Sequence, residues 1–277
     1  MTHWICGTCS VEYADTPEPP PSCPICTDER QYVPPTGQTW TTTKERAAAG
    51  HRTHVEPVGE HEPGLHRVSV QPTVGIGQVS LLVQTEAGNL LWDPTGFVDQ
   101  DAVDAITALG GLAAITASHP HMFGVQVEWS HAFGGVPVYV NEADQRWLGR
   151  TDEVVRLWSG THEPLPGITF VQAGGHFPGS SVAIWAAGAG GRGVLLSGDT
   201  IAPVTDRGWV TFMRSYPNTI PLSAAAVRRI VSRVEPYDFE RLYGNFGAVV
   251  EADAKESVRR SADRYVGWVS GDFDADT

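Results

Sequence analysis

The chain has 277 residues, 41% of them hydrophobic, with 32 acidic against 19 basic side chains and a formal charge of −13. That length accommodates one large domain or a domain with a small module, and the apolar fraction can build a substantial core. The charge argues against a nucleic-acid backbone or an anionic membrane as main partner. No apolar run reaches the ~18 residues a membrane span needs, and Met1-Thr2-His3-Trp4 lacks the basic-then-apolar opening of a secretory signal.

All four cysteines fall in the first segment, at 6, 9, 23 and 26, as Cys-x2-Cys-x13-Cys-x2-Cys. Two Cys-x-x-Cys turns can present four thiolates to one metal, and thiolate ligands imply a reducing, cytoplasmic setting. A segment this short cannot build a sufficient apolar core, so the metal supplies folding free energy. Trp4-Ile5-Cys6-Gly7-Thr8-Cys9, Tyr13 and Ser22-Cys23-Pro24-Ile25-Cys26 resemble the rubredoxin-like ribbon attached to rubrerythrins. That resemblance implies zinc or iron, with a structural or docking role and electron transfer as the alternative. The ribbon is assigned to residues 1–35.

Residues 36–65 are expected to be a linker. Pro34-Pro35-Thr36-Gly37 breaks regular structure, Thr41-Thr42-Thr43 can cap a short helix, and His51, His54, His61 and His66 have polar neighbours and no rigid strand to hold them as ligands. From residue 66 to 277 the pattern is that of one α/β domain. Strands 79–85 and 89–92 form a hairpin through Ala87-Gly88. Asp99 opens a helix that Gly110-Gly111 ends. A buried strand runs from Leu112 into Ser118-His119-Pro120-His121, where Pro120 favours an extended His119 and period-two alternation would put both imidazoles on one side. A helix is expected over 122–132, a strand at 136–140 and a short helix at 142–148. Strands follow near 154–158, 168–172, 181–187 and 193–197. Helices over 222–234 and 252–269 flank a last strand at 239–243.

Chemistry concentrates at strand ends: His119 and His121, then Gly174-Gly175-His176-Phe177-Pro178-Gly179-Ser180, then Ser197-Gly198-Asp199. In that order these motifs resemble the metallo-β-lactamase superfamily, and Leu90-Leu91-Trp92-Asp93-Pro94-Thr95-Gly96 resembles its earlier strand-Asp-x-x-Gly motif. The likeness spans roughly residues 66–268 and implies a four-layer αβ/βα sandwich. It also implies a metal held by His119, His121, His176 and Asp199, with Asp93 anchoring a loop. The family's motif continues with Asp and His where this chain has Phe123 and Gly124, and its late-strand His is missing from Leu242-Tyr243-Gly244-Asn245. One metal is therefore expected in the cleft, not two.

Glu128, four residues after Gly124 on the expected helix, shares its face and is a candidate to activate water or ligate; His131 is a weaker one. Both have the alternative reading of plain solvated residues. Arg214, Tyr216 and Asn218, after Asp199, are candidates for substrate binding, with a rigid packed turn as the alternative. The tryptophans at 129, 147, 158, 185 and 209 are expected in the core. The reading that follows is a cytoplasmic, metal-dependent hydrolase of a small ester, lactone, thioester or amide. Zinc is expected in both sites, with iron compatible with either. A small molecule is the expected partner, with neither nucleic acid nor membrane, and self-association is left open. A redox protein or oxygenase using iron and a non-catalytic metal-binding homologue are the alternatives.

Overall fold

The computed structural model describes residues 3–277. Two sheets stack face to face, each with helices on its outer side. One has seven strands, in the order Val155–Trp158, Val138–Asn141, Ala114–Thr116, Gly88–Trp92, Ser80–Thr85, Leu65–Gln71 and Arg52–Pro57. The other has six: Thr161–Leu165, Ile168–Gln172, Ser181–Trp185, Val194–Leu196, Arg241–Tyr243 and Val249–Val250. The strands facing the sandwich centre are rich in large apolar side chains, and Leu81, Leu90, Trp92, Phe170, Ala183 and Trp185 form the buried layer between the sheets.

Helix Gln100–Ala108 covers the outer face of the first sheet, its N-cap Asp99 accepting from the Ala102 amide. Ala224–Val234 and Ala254–Ser270 cover the second, through Val227, Ile230, Val234, Val258 and Val266. This is the expected four-layer αβ/βα sandwich. No helix among the described residues is long and apolar enough to cross a membrane.

The expected linker over 36–65 is instead structured. Trp40–Thr41 adds a strand to the ribbon sheet beside His3–Cys6, and Thr43–Ala48 is a helix capped by Thr42. Arg52–Pro57 is the edge strand of the large sheet, paired residue for residue with His66–Gln71. Its pattern misleads because an edge strand needs few apolar positions, and Thr53 alone is buried along it.

Nor is the ribbon a separate module. Ile5, Val11 and Ile25 share one continuous core with Val125, Val127 and Trp129 of the sandwich. The Glu12 and Ala14 amides donate to the Gly124 and Gly149 carbonyls, 3.0 Å each.

Candidate metal centre

The strand Ala114–Thr116 is buried and flanked by parallel neighbours, so its C-terminal end is rigid. His119 leaves it extended (φ −168°, ψ 172°). The expected extended His-x-His does not continue: Pro120 opens a 3-10 turn, Pro120–Met122, closed by Met122 N–H donating to the His119 carbonyl at 2.9 Å. The two imidazoles converge because a proline-initiated turn swings His121 back, not because of strand alternation. At the same edge, the Ser181 amide of the second sheet donates to the Ser118 carbonyl at 2.9 Å and ties the sheets together.

The ring nitrogens of His119, His121 and His176 and the Asp199 carboxylate lie within 4.8 Å of one another, all buried. His176 Nε2 is 3.2 Å from His121 Nδ1. Asp199 Oδ2 lies 3.4 Å from His119 Nε2 and 3.8 Å from His176 Nε2.

The surroundings fix the tautomers. His176 Nδ1 faces the Met213 carbonyl at 3.1 Å and so carries the proton, leaving the Nε2 lone pair turned inward. Ser118 donates its hydroxyl to Asp93 Oδ2 at 3.1 Å, so it accepts from His119 Nδ1 at 2.9 Å and turns His119 Nε2 inward too. Asp93 also accepts the Ser118 amide at 2.6 Å. Burial, reinforced by neighbouring charges, keeps His121 well below the usual imidazole range and pulls His176 down to about 4. Burial opposes ionisation of Asp199, but contact with His119 outweighs it and holds the carboxyl below its ordinary range.

Three imidazoles gathered with one carboxylate form a donor set that fits a divalent cation. His119 Nε2 and His121 Nε2 are buried without a hydrogen-bond partner. The first of these atoms aims into the cluster, as a ligand atom would.

There is no room for a side chain at Gly124, where the resembled family places a further histidine. Gly124 has φ +51°, and a Cβ there would sit 2.2 Å from the Pro94 carbonyl oxygen and 2.7 Å from that of Thr95. Phe123 is packed into the core at 2% exposure, and Asn245 occupies the late-strand position.

Gly124 also breaks the expected 122–132 helix, which begins only at Gln126. Glu128 is thereby turned away. It accepts from Arg150 at 2.5 Å and lines a different cavity together with His3, Lys44 and His131. The expectation that Glu128 activates water at the cleft is therefore corrected. His131 pairs with Asp152 at 3.2 Å and is likewise elsewhere.

Above the metal cluster opens a cavity of about 510 Å³, whose floor includes His121, His176 and Asp199. Tyr216 lines it, and its hydroxyl donates to the Asp199 carbonyl at 3.0 Å, steadying the ligand's backbone. Arg214 and Asn218 do not face it. Arg214 grips Glu29 at 2.5 Å, and Asn218 Nδ2 donates to the Glu29 and Gln31 carbonyls at 2.9 and 3.2 Å. Both hold the ribbon in place, which corrects their expected role in substrate binding.

In return the ribbon and the segment after it supply much of the cavity wall, through Arg30, Gln31, Tyr32, Thr36 and Thr39. Sequence reasoning missed this wall, because no pattern in residues 30–39 says which surface they will cover. It also missed Phe177, fully buried and packed against all three histidines with centroids 4.9–5.8 Å away. The Arg30 guanidinium lies 4.2 Å over the Phe177 ring.

The four cysteines form the second cluster, buried, with Cys6–Cys26 and Cys9–Cys23 sulfurs 3.7 Å apart. Gln38 Nε2 donates to Cys6 Sγ at 3.2 Å, and the Tyr13 hydroxyl lies 3.0 Å from Cys23 Sγ. None of His51, His54, His61 or His66 belongs to either cluster.

Two stacked sheets, outer helices and a histidine–aspartate cluster at their common edge define the metallo-β-lactamase fold. The DIM-1 metallo-β-lactamase superposes with a TM-score of 0.55 at 13% identity, over 77% of this chain and 97% of that one. The SMB-1 metallo-β-lactamase, solved with mercaptoacetic acid, gives 0.52 at 15% identity, over 78% and 98%. No family model matches the chain. At the level of sequence it belongs to the family of YmaE, an uncharacterized protein of Bacillus subtilis (strain 168), which is 45% identical over 267 residues and 96% of each chain.

Proposed function

We propose that the protein is a metal-dependent hydrolase with a mononuclear cleft site, acting on a small ester, lactone, thioester or amide. The observation that supports this is the gathering of three imidazoles and one carboxylate, with His121, His176 and Asp199 at the floor of a cavity large enough for a small molecule. Three imidazoles with a carboxylate suit zinc. Bound there, the metal would supply Lewis acidity toward a carbonyl and lower the pKa of water.

The chain's own residues do the rest. His119, His121, His176 and Asp199 would hold the cation. Asp93 and Ser118 fix the His119 ring, and the Met213 carbonyl fixes that of His176. Phe177 keeps water from the underside of the cluster, and the ribbon wall with Tyr216 narrows the approach. The ribbon's thiolate cluster acts in this reading as a structural zinc site that shapes the cavity, in a cytoplasmic protein.

The test is metal analysis of the purified protein together with hydrolysis of a panel of p-nitrophenyl esters, lactones and thioesters. Two metals per chain are expected, one in the ribbon and one in the cleft. His121→Ala is expected to retain the ribbon metal and lose both cleft metal and hydrolysis. Unchanged hydrolysis and metal content in that variant would overturn the proposal, as would two metals in the cleft.

A further inference from the structure

Behind the loop that carries His176 lies a second cavity of about 510 Å³, lined by Arg30, Arg214, Arg229 and Arg233 with Gln172 and the Gly174-Gly175 backbone among its other walls. No carboxylate lines it, although the chain as a whole carries −13. Arg229 and Arg233 stand one turn apart on the helix Ala224–Val234, so both guanidiniums project from one face. Among the described residues neither has an acidic partner, whereas Arg214 is paired with Glu29 and Arg30 with Asp28. Arg229 and Arg233 are thus the two guanidiniums of the lining left without a carboxylate against them.

A second observation is independent of that charge count. Arg30 is 5% exposed and its Nε is buried with no hydrogen-bond partner. Arg30 also lines the metal cavity, so it stands in the wall between the two.

We propose that this arginine cavity binds a dianionic oxyanion of the phosphate class. Planar guanidinium forks match tetrahedral oxyanions two bonds at a time. A phosphate monoester carries about −1.5 to −2 near neutral pH, which balances the two unneutralised arginines. The cavity is wider than a bare phosphate, leaving space for an organic body beside it. The site is distinct from the metal cluster and does not depend on the reaction there.

The experiment is isothermal titration of the full-length, metal-loaded protein at low ionic strength, first with inorganic phosphate and then with glycerol phosphate. Binding of both is expected, weakened at least tenfold in Arg229→Ala/Arg233→Ala and unchanged in His121→Ala. The arginine pair is exposed on a helix and alanine favours helix, so the double variant should fold; an unchanged thermal midpoint checks this. Tighter binding of glycerol phosphate identifies the phosphate group of an organic ligand as the occupant, and equal binding identifies free phosphate. No binding by the unaltered protein, binding untouched by the double substitution, or binding lost only with His121→Ala would each overturn the proposal.

Discussion

Gly124 is where the proposed single-metal cleft can be tested hardest. Replacing it with alanine forces a side chain into a left-handed backbone at φ +51°, which costs about 1–2 kcal/mol for an L-residue. The new Cβ would also lie 2.2 Å from the Pro94 carbonyl oxygen and 3.0 Å from its carbon. Those atoms are backbone and cannot rotate away, so an overpacking cost of about 1–3 kcal/mol adds to the first. Gly124→Ala should therefore lose about 2–5 kcal/mol in urea unfolding. Because the Gly124 carbonyl also accepts the Glu12 amide, loosening should appear as faster proteolysis of the ribbon. Gly124→His, which restores the residue type that the resembled family places there, should be at least as destabilised and should still hold one cleft metal. An unfolding midpoint equal to the parent's for Gly124→Ala, or a second cleft metal in Gly124→His, would show that the backbone of Pro94 and Thr95 does not close that side of the site.

Three further outcomes follow from contacts already described. Ser118→Ala removes the acceptor for His119 Nδ1 and a donor to Asp93, and should weaken cleft-metal affinity about 10–100-fold in chelator competition while leaving the ribbon metal in place. Cys23→Ser should lower the metal content by one per chain and make residues 30–39 protease-sensitive, since those residues lean on the ribbon for their place over the cavity. Burial pushes the Glu12 carboxyl up from 4.5 to about 7 against the pull of Arg150. The folded state then holds this proton more tightly than the unfolded chain, so its contribution to stability falls as pH rises from about 4.5 to about 7. At most about 3 kcal/mol is at stake. Urea midpoints from pH 5 to 8 should lose that part of their slope in Glu12→Gln; equal slopes in the two proteins would exclude it.

The ligands and the layers were legible because each rests on short-range chemistry. Ala114–Thr116 could only be a buried strand, Pro120 could only begin a turn or hold its neighbour extended, and four cysteines in two pairs could only be read together. The failures share a different cause. Glu128 faces the cleft only if one helix runs through Gly124, whereas the helix starts at Gln126. Arg214 and Asn218 follow Asp199 closely in sequence, which points them at the cleft, yet their partners Glu29 and Gln31 lie about 185 positions earlier. The polar strand Arg52–Pro57 looked like loop because its neighbour Leu65–Gln71, not its own side chains, makes it a strand. Contacts of that length leave no local periodicity to read.

The wall that Arg30 to Thr39 build over the metal cluster changes what counts as the smallest working unit of this molecule. Trimming the chain to its two sheets would not yield a minimal version of the same site. It would uncover the histidine side of the sandwich and strip Ile5, Val11 and Ile25 from the core they share with Val125, Val127 and Trp129. Differences in ligand preference among relatives are accordingly to be sought in the first forty residues as much as in the loops that carry the histidines.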